Sequence, residues 1–300
     1  MTTRKSAVAG SFYPRYKPDL IRVLKNSFLD EKFGPGKLPE CENKEERTII
    51  GGVSPHAGYT YSGSVAAFTY LNLFKEKVPE TVVILGTDHQ GYGSIALMRE
   101  GRWETPLGDL EIDNILADEI LNGSNLIKND DSAFVGFPHG REHNIEVQLP
   151  FIKFCAGNKS VKILPIKISN FSYKTINTLA LDLSKTIESI DKDIVIVASS
   201  DMTHKQPRNI QNPKEDIQDM QDKDQAVINA FLDLNPEKTF NSARETTVCG
   251  PQTITSLLVS CKELGGKKAK KLQYYTSYEK GGGTGPCEYS VGYFSGIILK

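Results

Sequence analysis

Three short apolar runs in this chain end in the same way, and that shared ending limits the folds open to it. The run TIIGGV at 48–53 leads into SPHAGYTY, which holds His56. The run TVVIL at 81–85 leads into GTDH, ending at His89. The run DIVIVA at 193–198 leads into SSDMTH, ending at His204. Continuous β-branched runs of this length mark strands covered on both faces. Parallel neighbours bring their carboxyl ends to one edge, where open α/β folds bind ligands. The pattern predicts a sheet with His56, His89 and His204 gathered at one edge.

Helical periods fill the intervals. Residues 17–29 place Leu20, Val23, Leu24 and Phe28 on one face. Residues 62–74 offer Val65, Phe68 and Leu71, and 173–190 carry a stripe of Ile176, Leu179, Leu183 and Ile187. Further helices are expected near 113–121, from the Glu142–Gln148 stretch to 154, at 217–232 and 236–244, and after Cys249-Gly250-Pro251. Strands are expected at 94–98, 161–168, 273–278 and 291–299, with a turn at 103–109 and loops at 30–47 and 205–215. Alternating β and α elements predict one α/β domain over residues 1–300. Its central sheet, largely parallel or mixed, would carry helices on both faces. With 39% hydrophobic residues in 300, the chain can bury the core this needs.

A net charge of −1 leaves no electrostatic footprint for nucleic acid. No run approaches the roughly 18 apolar residues of a membrane span, and the first residues lead into no apolar signal core. Five scattered cysteines do not form a disulfide framework. A reducing, cytoplasmic setting is expected. GGGTG at 281–285 precedes a strand rather than a helix, so it reads as a plain loop and not a phosphate cradle. GGKKAKK at 265–271 reads as a solvated turn.

Imidazole is the commonest protein metal ligand, and histidines converging at a sheet edge suit iron, zinc or copper. Cys249 stands just before Gly250-Pro251, where a starting helix would favour its thiolate as ligand or nucleophile. Asp88 and Asp201 can either orient imidazoles from behind or cap a helix or turn. Glu142, His143 and Glu146 open a helix, with His143 and Glu146 sharing a face that can line the pocket. Cys41, Cys155, Cys261 and Cys287 have no such context.

SPHAGYTYSG at 54–63, LGTDH at 85–89, EHNIEVQLP at 142–150, SSDMTH at 199–204 and VCGPQTI at 248–254 occur in this order, with AGSFYP before them and YSVGYFSG at the end. The chain resembles, over nearly its full length, the Memo family, named for a mammalian mediator of ErbB2-driven cell motility. The resemblance implies a fold similar to class III extradiol dioxygenases and a metal site. Matched motif by motif, the ligands would be His56, His89 and Cys249. Asp201 and His204 would line the same pocket, with His204 as acid/base. Iron(II) is the first expected cofactor, with copper or zinc as alternatives. A small molecule or peptide would enter the pocket, and a functional link to AMMECR-type and radical SAM proteins is implied. The dioxygenases use a carboxylate where Cys249 stands, so fold kinship does not establish ring cleavage.

Three readings follow. The first is a metal-dependent, dioxygenase-like redox enzyme. The second is a binding or scaffold protein on the same fold. The third is a metal-free hydrolase using Cys249, His204 and Asp201.

Overall fold

The apolar runs become the centre of one sheet. The computed structural model describes residues 2–300. Among them, nine strands build the main sheet: β1 (Ile49–Ser54), β2 (Thr81–Thr87), β3 (Ile95–Leu97), β4 (Ile127–Asn129), β5 (Lys162–Ile168), β6 (Ile194–Ser199), β7 (His204–Lys205), β8 (Lys268–Thr276) and β9 (Ser290–Leu299). The order across it is β7-β9-β1-β6-β2-β5-β3-β4, and β8 pairs with β9. The four central strands β1, β6, β2 and β5 are parallel to one another. β9 runs antiparallel to β1, and β3 antiparallel to β5. The sheet is mixed around a parallel core, as the α/β reading expects.

Every residue of β1, β2 and β6 is buried. Gly51 lies against Leu257 and Cys261 of the Pro251–Glu263 helix, while Gly52 lies against Thr69 of the Tyr59–Lys75 helix. Successive strand residues face opposite ways, so these helices cover opposite faces. A Cβ on Gly51 would stand 2.7 Å from Cys261 Sγ and Leu257 Cδ1, so the missing side chain lets that helix lie close. No described helix is long and apolar enough to cross a membrane.

The register levels the strand ends. Ser54 sits beside Ser199, and Leu85 beside Ala198. The turns after β1, β2 and β6 therefore meet at one edge.

Several boundaries depart from the sequence reading. The second helix begins at Tyr59, not 62; Tyr59 is buried and its hydroxyl donates to the Val147 carbonyl at 2.6 Å, a tertiary contact that no local pattern reveals. The single helix expected from 142 to 154 is a short 3-10 turn, Glu146–Gln148, followed by the helix Leu149–Ala156. Pro150 explains the break, because proline fits only the first turn of a helix. The expected turn at 265–271 is instead largely strand: Lys268 to Lys271 pair with Leu299 to Gly296. Two-residue strands at Thr3–Arg4, Arg102–Trp103 and Leu110–Glu111 form a small separate sheet. They are too short to show a period.

Candidate metal centre

His56 lies 1% exposed in the turn after β1. Its Nδ1 stands 3.1 Å from Ser199 Oγ at the end of β6. That hydroxyl has one proton, which it donates to the Asn144 carbonyl at 2.7 Å. It also accepts from Gln148 Nε2 at 2.8 Å. A serine hydroxyl offers one donor and two acceptor sites, so Nδ1 of His56 must be the donor. The proton is on Nδ1, and Nε2 carries a lone pair. Nε2 is buried without a hydrogen-bond partner. An orphaned imidazole nitrogen of this kind costs free energy unless something binds it, and a cation fits it.

His89 follows β2 and is oriented from behind. Its Nδ1 lies 3.0 Å from Glu142 Oε1, and its backbone N–H donates to Glu142 Oε2 at 2.9 Å. Burial opposes ionisation of Glu142, but the bonds from His89 and the nearby imidazoles outweigh it and hold the carboxyl down at about 2. A carboxylate accepts the Nδ1 proton, so His89 Nε2 is left as the lone-pair nitrogen. His143 Nδ1 is 3.5 Å from the same Glu142 oxygen. The three rings form a near-regular triangle, with centroids 5.3 Å apart for His56–His89, 5.4 Å for His56–His143 and 5.3 Å for His89–His143. Partners behind metal-binding imidazoles are worth about 10- to 100-fold in metal affinity. Glu142→Ala is therefore expected to weaken metal binding at least about tenfold, measured by competition with a chelator. An unchanged affinity would remove Glu142 from the site.

Asp201, Cys249 and His204 close the other side. Asp201 is buried and accepts the His56 backbone N–H at 2.7 Å. Cys249 Sγ lies 3.8 Å from His204 Nε2, and His204 Nδ1 donates to the Thr247 carbonyl at 3.1 Å. The helix expected after Cys249 does start at Pro251, with Gly250 as its cap. Its favourable field does not decide the thiol: burial first, and then the Asp201 charge, push Cys249 well above the ordinary thiol range. His89 and Cys249 both open onto a cleft of about 260 Å³, also lined by Asp88, Asn170, Arg244 and Gln252.

A family model described as Memo-like protein matches residues 4–297. A MEMO1 family protein of Desulfurococcus amylolyticus is 38% identical over 296 residues, covering 98% of each chain. Another, of Nitrosopumilus maritimus, is 37% identical over 286 residues, covering 94% of this chain and 95% of its own. A third, of Ignicoccus hospitalis, is 35% identical over 285 residues and 94% of each chain. The chain belongs to the Memo family.

Within this Memo-family site, the structure gathers His56, His89, His143, Asp201, His204 and Cys249. Of the two roles open to Asp88, the structure shows the turn cap: it lines the cleft, but its carboxylate accepts from Gln90 N, Gly93 N and Ser169 Oγ, closing its own turn and tying it to the residue after β5 rather than holding an imidazole. Likewise, Asp201 holds a backbone N–H rather than a ring. Glu146 is not in the pocket at all. It is fully buried and takes Arg4 Nη1 at 2.5 Å, the backbone N–H groups of Ala7 and Val8, and the Tyr13 hydroxyl at 2.7 Å. It anchors the N-terminal segment, so that Phe12 packs on His143 at 4.5 Å between centroids. Sequence reasoning missed Glu142 as the partner of His89, and missed Ser199, Asn144 and Gln148 entirely. The signal for the last three was their presence inside the shared motifs.

The Memo-family pocket also sets a dependence on pH. Burial, and then the imidazoles around it, hold His56 well below the ordinary range, and burial holds His143 down at about 4. The unfolded chain protonates both near pH 6.5. Burial raises Asp201 to about 6, so there the folded protein holds a proton that the unfolded chain lacks. His56 and His143, and at lower pH Glu142, favour unfolding in acid, while Asp201 opposes it. Stability is therefore full above about pH 6.5 and declines toward pH 4. Melting temperatures of the metal-free protein are expected to fall between pH 7 and 4.5; a flat profile would contradict the assignment.

Proposed function

We propose that this protein is a metal-dependent redox protein centred on His56, with His89 and Cys249 as further donors and iron(II) or copper as the ion; zinc is the redox-inert alternative. The observation that carries the proposal is His56 Nε2, a buried lone-pair nitrogen without a partner, fixed by Ser199 and Asn144. A bound iron or copper ion would supply electron transfer and an open coordination position. The chain supplies the rest. Glu142 keeps the His89 proton on Nδ1, and Asp201 fixes the His56 turn through the backbone. His204 is tied to Thr247 by Nδ1, so its Nε2 can accept a proton from a group entering the pocket. The cleft beside His89 and Cys249 suits a small molecule or the end of a peptide. All five cysteines are free, which supports a reducing, cytoplasmic setting.

The metal-free hydrolase reading keeps its geometry, since Cys249 Sγ lies 3.8 Å from His204 Nε2, but burial and the Asp201 charge push the thiol up and so disfavour the thiolate it needs. The test is elemental analysis of protein prepared without oxygen and without a metal-affinity tag, beside His89→Ala. Near-stoichiometric iron or copper in the parent, reduced in the variant, is the expected result, followed by oxygen uptake with candidate substrates. Metal without uptake would leave a binding role. A parent without metal even after reconstitution would overturn the proposal.

A further inference from the structure

The cleft that opens onto His89 and Cys249 holds one positive charge that no carboxylate answers. Among the described residues, six of the nine arginines stand in ion pairs with carboxylates, and Arg244 does not. Arg15 and Arg141 are the other two, and neither lines this cleft. Arg244 ends the Pro236–Arg244 helix. Its guanidinium lies over the Phe240 ring, 5.5 Å from the centroid, and Nη1 donates to Asn170 Oδ1 at 2.5 Å. The group is therefore held from two elements while its charge stays unpaired. A guanidinium presents five N–H donors in a planar fork that fits a carboxylate bidentately.

The other lining groups narrow the ligand. Burial opposes ionisation of Asp88, but bonds from Ser169 and Gly93 hold its carboxyl below the ordinary range. A singly charged acid meets less repulsion from that carboxylate than a dianionic phosphate does. Gln252 is 6% exposed, and its Nε2 donates to Thr87 Oγ1 and the Ile168 carbonyl. Its amide oxygen is the end left for a ligand O–H or N–H. At about 260 Å³ the cleft falls below the roughly 300–1,000 Å³ of drug-sized pockets. We propose that Arg244 anchors a carboxylate subsite: the cleft takes a small, singly charged organic acid by its carboxylate, with a hydroxyl or amide N–H beside it for Gln252 and the far end toward His89 and Cys249. The inference rests on the metal-binding reading above, which makes this cleft the substrate's entrance. A free hydroxy acid and a peptide C-terminus share this chemistry.

Isothermal titration calorimetry tests the subsite without any activity assay. It uses full-length protein prepared without oxygen, before and after a chelator, as wild type, Arg244→Gln and Arg244→Lys, with elemental analysis of each. The probes are glycolate and glycolamide, N-acetylglycylglycine and its C-terminal amide, and inorganic phosphate. At least one acid is expected to bind wild type about tenfold or more tighter than its amide and than phosphate. Glycolate identifies a free acid as the occupant, and the peptide acid alone identifies a chain end. Arg244→Gln is expected to weaken the acid at least about tenfold and to leave the amide and the metal content unchanged. Arg244→Lys restores only part, because an ammonium keeps the charge without the fork. Acid binding unchanged in Arg244→Gln, no preference over the amide, phosphate binding as tight as the acid, or no binding of either acid would overturn the carboxylate subsite while leaving a metal site. A wild type without metal, whose acid binding still depends on Arg244, would overturn the metal reading and leave the subsite.

Discussion

His56→Ala is expected to abolish stoichiometric metal binding, weakening every ion tested by more than about 100-fold. The size follows from its position. Groups that merely back a ligand are worth about 10- to 100-fold, and His56 is the one residue common to the two compact groups of donor atoms, His56–His89–His143 and His56–Asp201–Cys249. Its removal leaves His89 and His143 on one side and Cys249 and Asp201 on the other, with two donors each. It also frees Ser199 Oγ from the Nδ1 proton, although the bonds to Asn144 and Gln148 remain. The variant should therefore still unfold cooperatively, which separates loss of the site from loss of the fold. Metal content by elemental analysis beside a thermal melt checks both. Full metal content in a folded His56→Ala protein would remove the central assignment.

Glu146→Ala is expected to be the most destabilising single change near the site. Its carboxylate is fully buried and accepts four donors from three parts of the first 13 residues: Arg4, the Ala7–Val8 backbone and Tyr13. Truncation leaves the Arg4 guanidinium, itself 3% exposed, with carbonyls but without its counter-charge. Breaking one partner of a buried pair costs about 3–5 kcal/mol. For a chain of this size that lowers the melting temperature by on the order of 10 °C. A second effect should accompany it. The released segment carries Phe12, which packs on His143 and whose carbonyl accepts the Tyr59 N–H at 2.8 Å. Metal affinity should fall although Glu146 touches no ligand. A melting temperature within about 2 °C of wild type would show that Arg4 and the segment are held by other means.

The legible part of this fold was its centre. TVVIL and DIVIVA read as strands buried on both faces, and the endings they share with TIIGGV place three histidine-bearing turns at one edge. The helices Lys17–Leu29 and Pro236–Arg244 were equally plain, because their apolar period or starting proline is local. What stayed hidden depends on contacts between distant segments. Lys268 to Lys271 read as a turn because charge usually means solvent. In the sheet those lysines lie on an edge strand, where charge discourages further pairing. Glu146 read as a pocket residue because it is three positions from His143, yet its partners lie more than 130 residues away. Glu142 was seen only as a helix opener, since nothing in its neighbourhood names His89 as its partner. Residue type and motif identified the donors; only the fold could say which carboxylate serves which ring.

The Ser199 hydroxyl carries one last implication, and it concerns rate. Its single proton is committed to a carbonyl, which forces the His56 proton onto Nδ1 and leaves Nε2 bare. That choice is made when β6 and the Asn144 segment come together, before any ion arrives. In water an imidazole exchanges between two neutral forms, and an incoming ion meets the wrong nitrogen part of the time. Here the entropy of that choice is spent during folding. Uptake of an ion should then be timed by the loss of its own hydration water and by passage through the cleft, not by rearrangement of the protein.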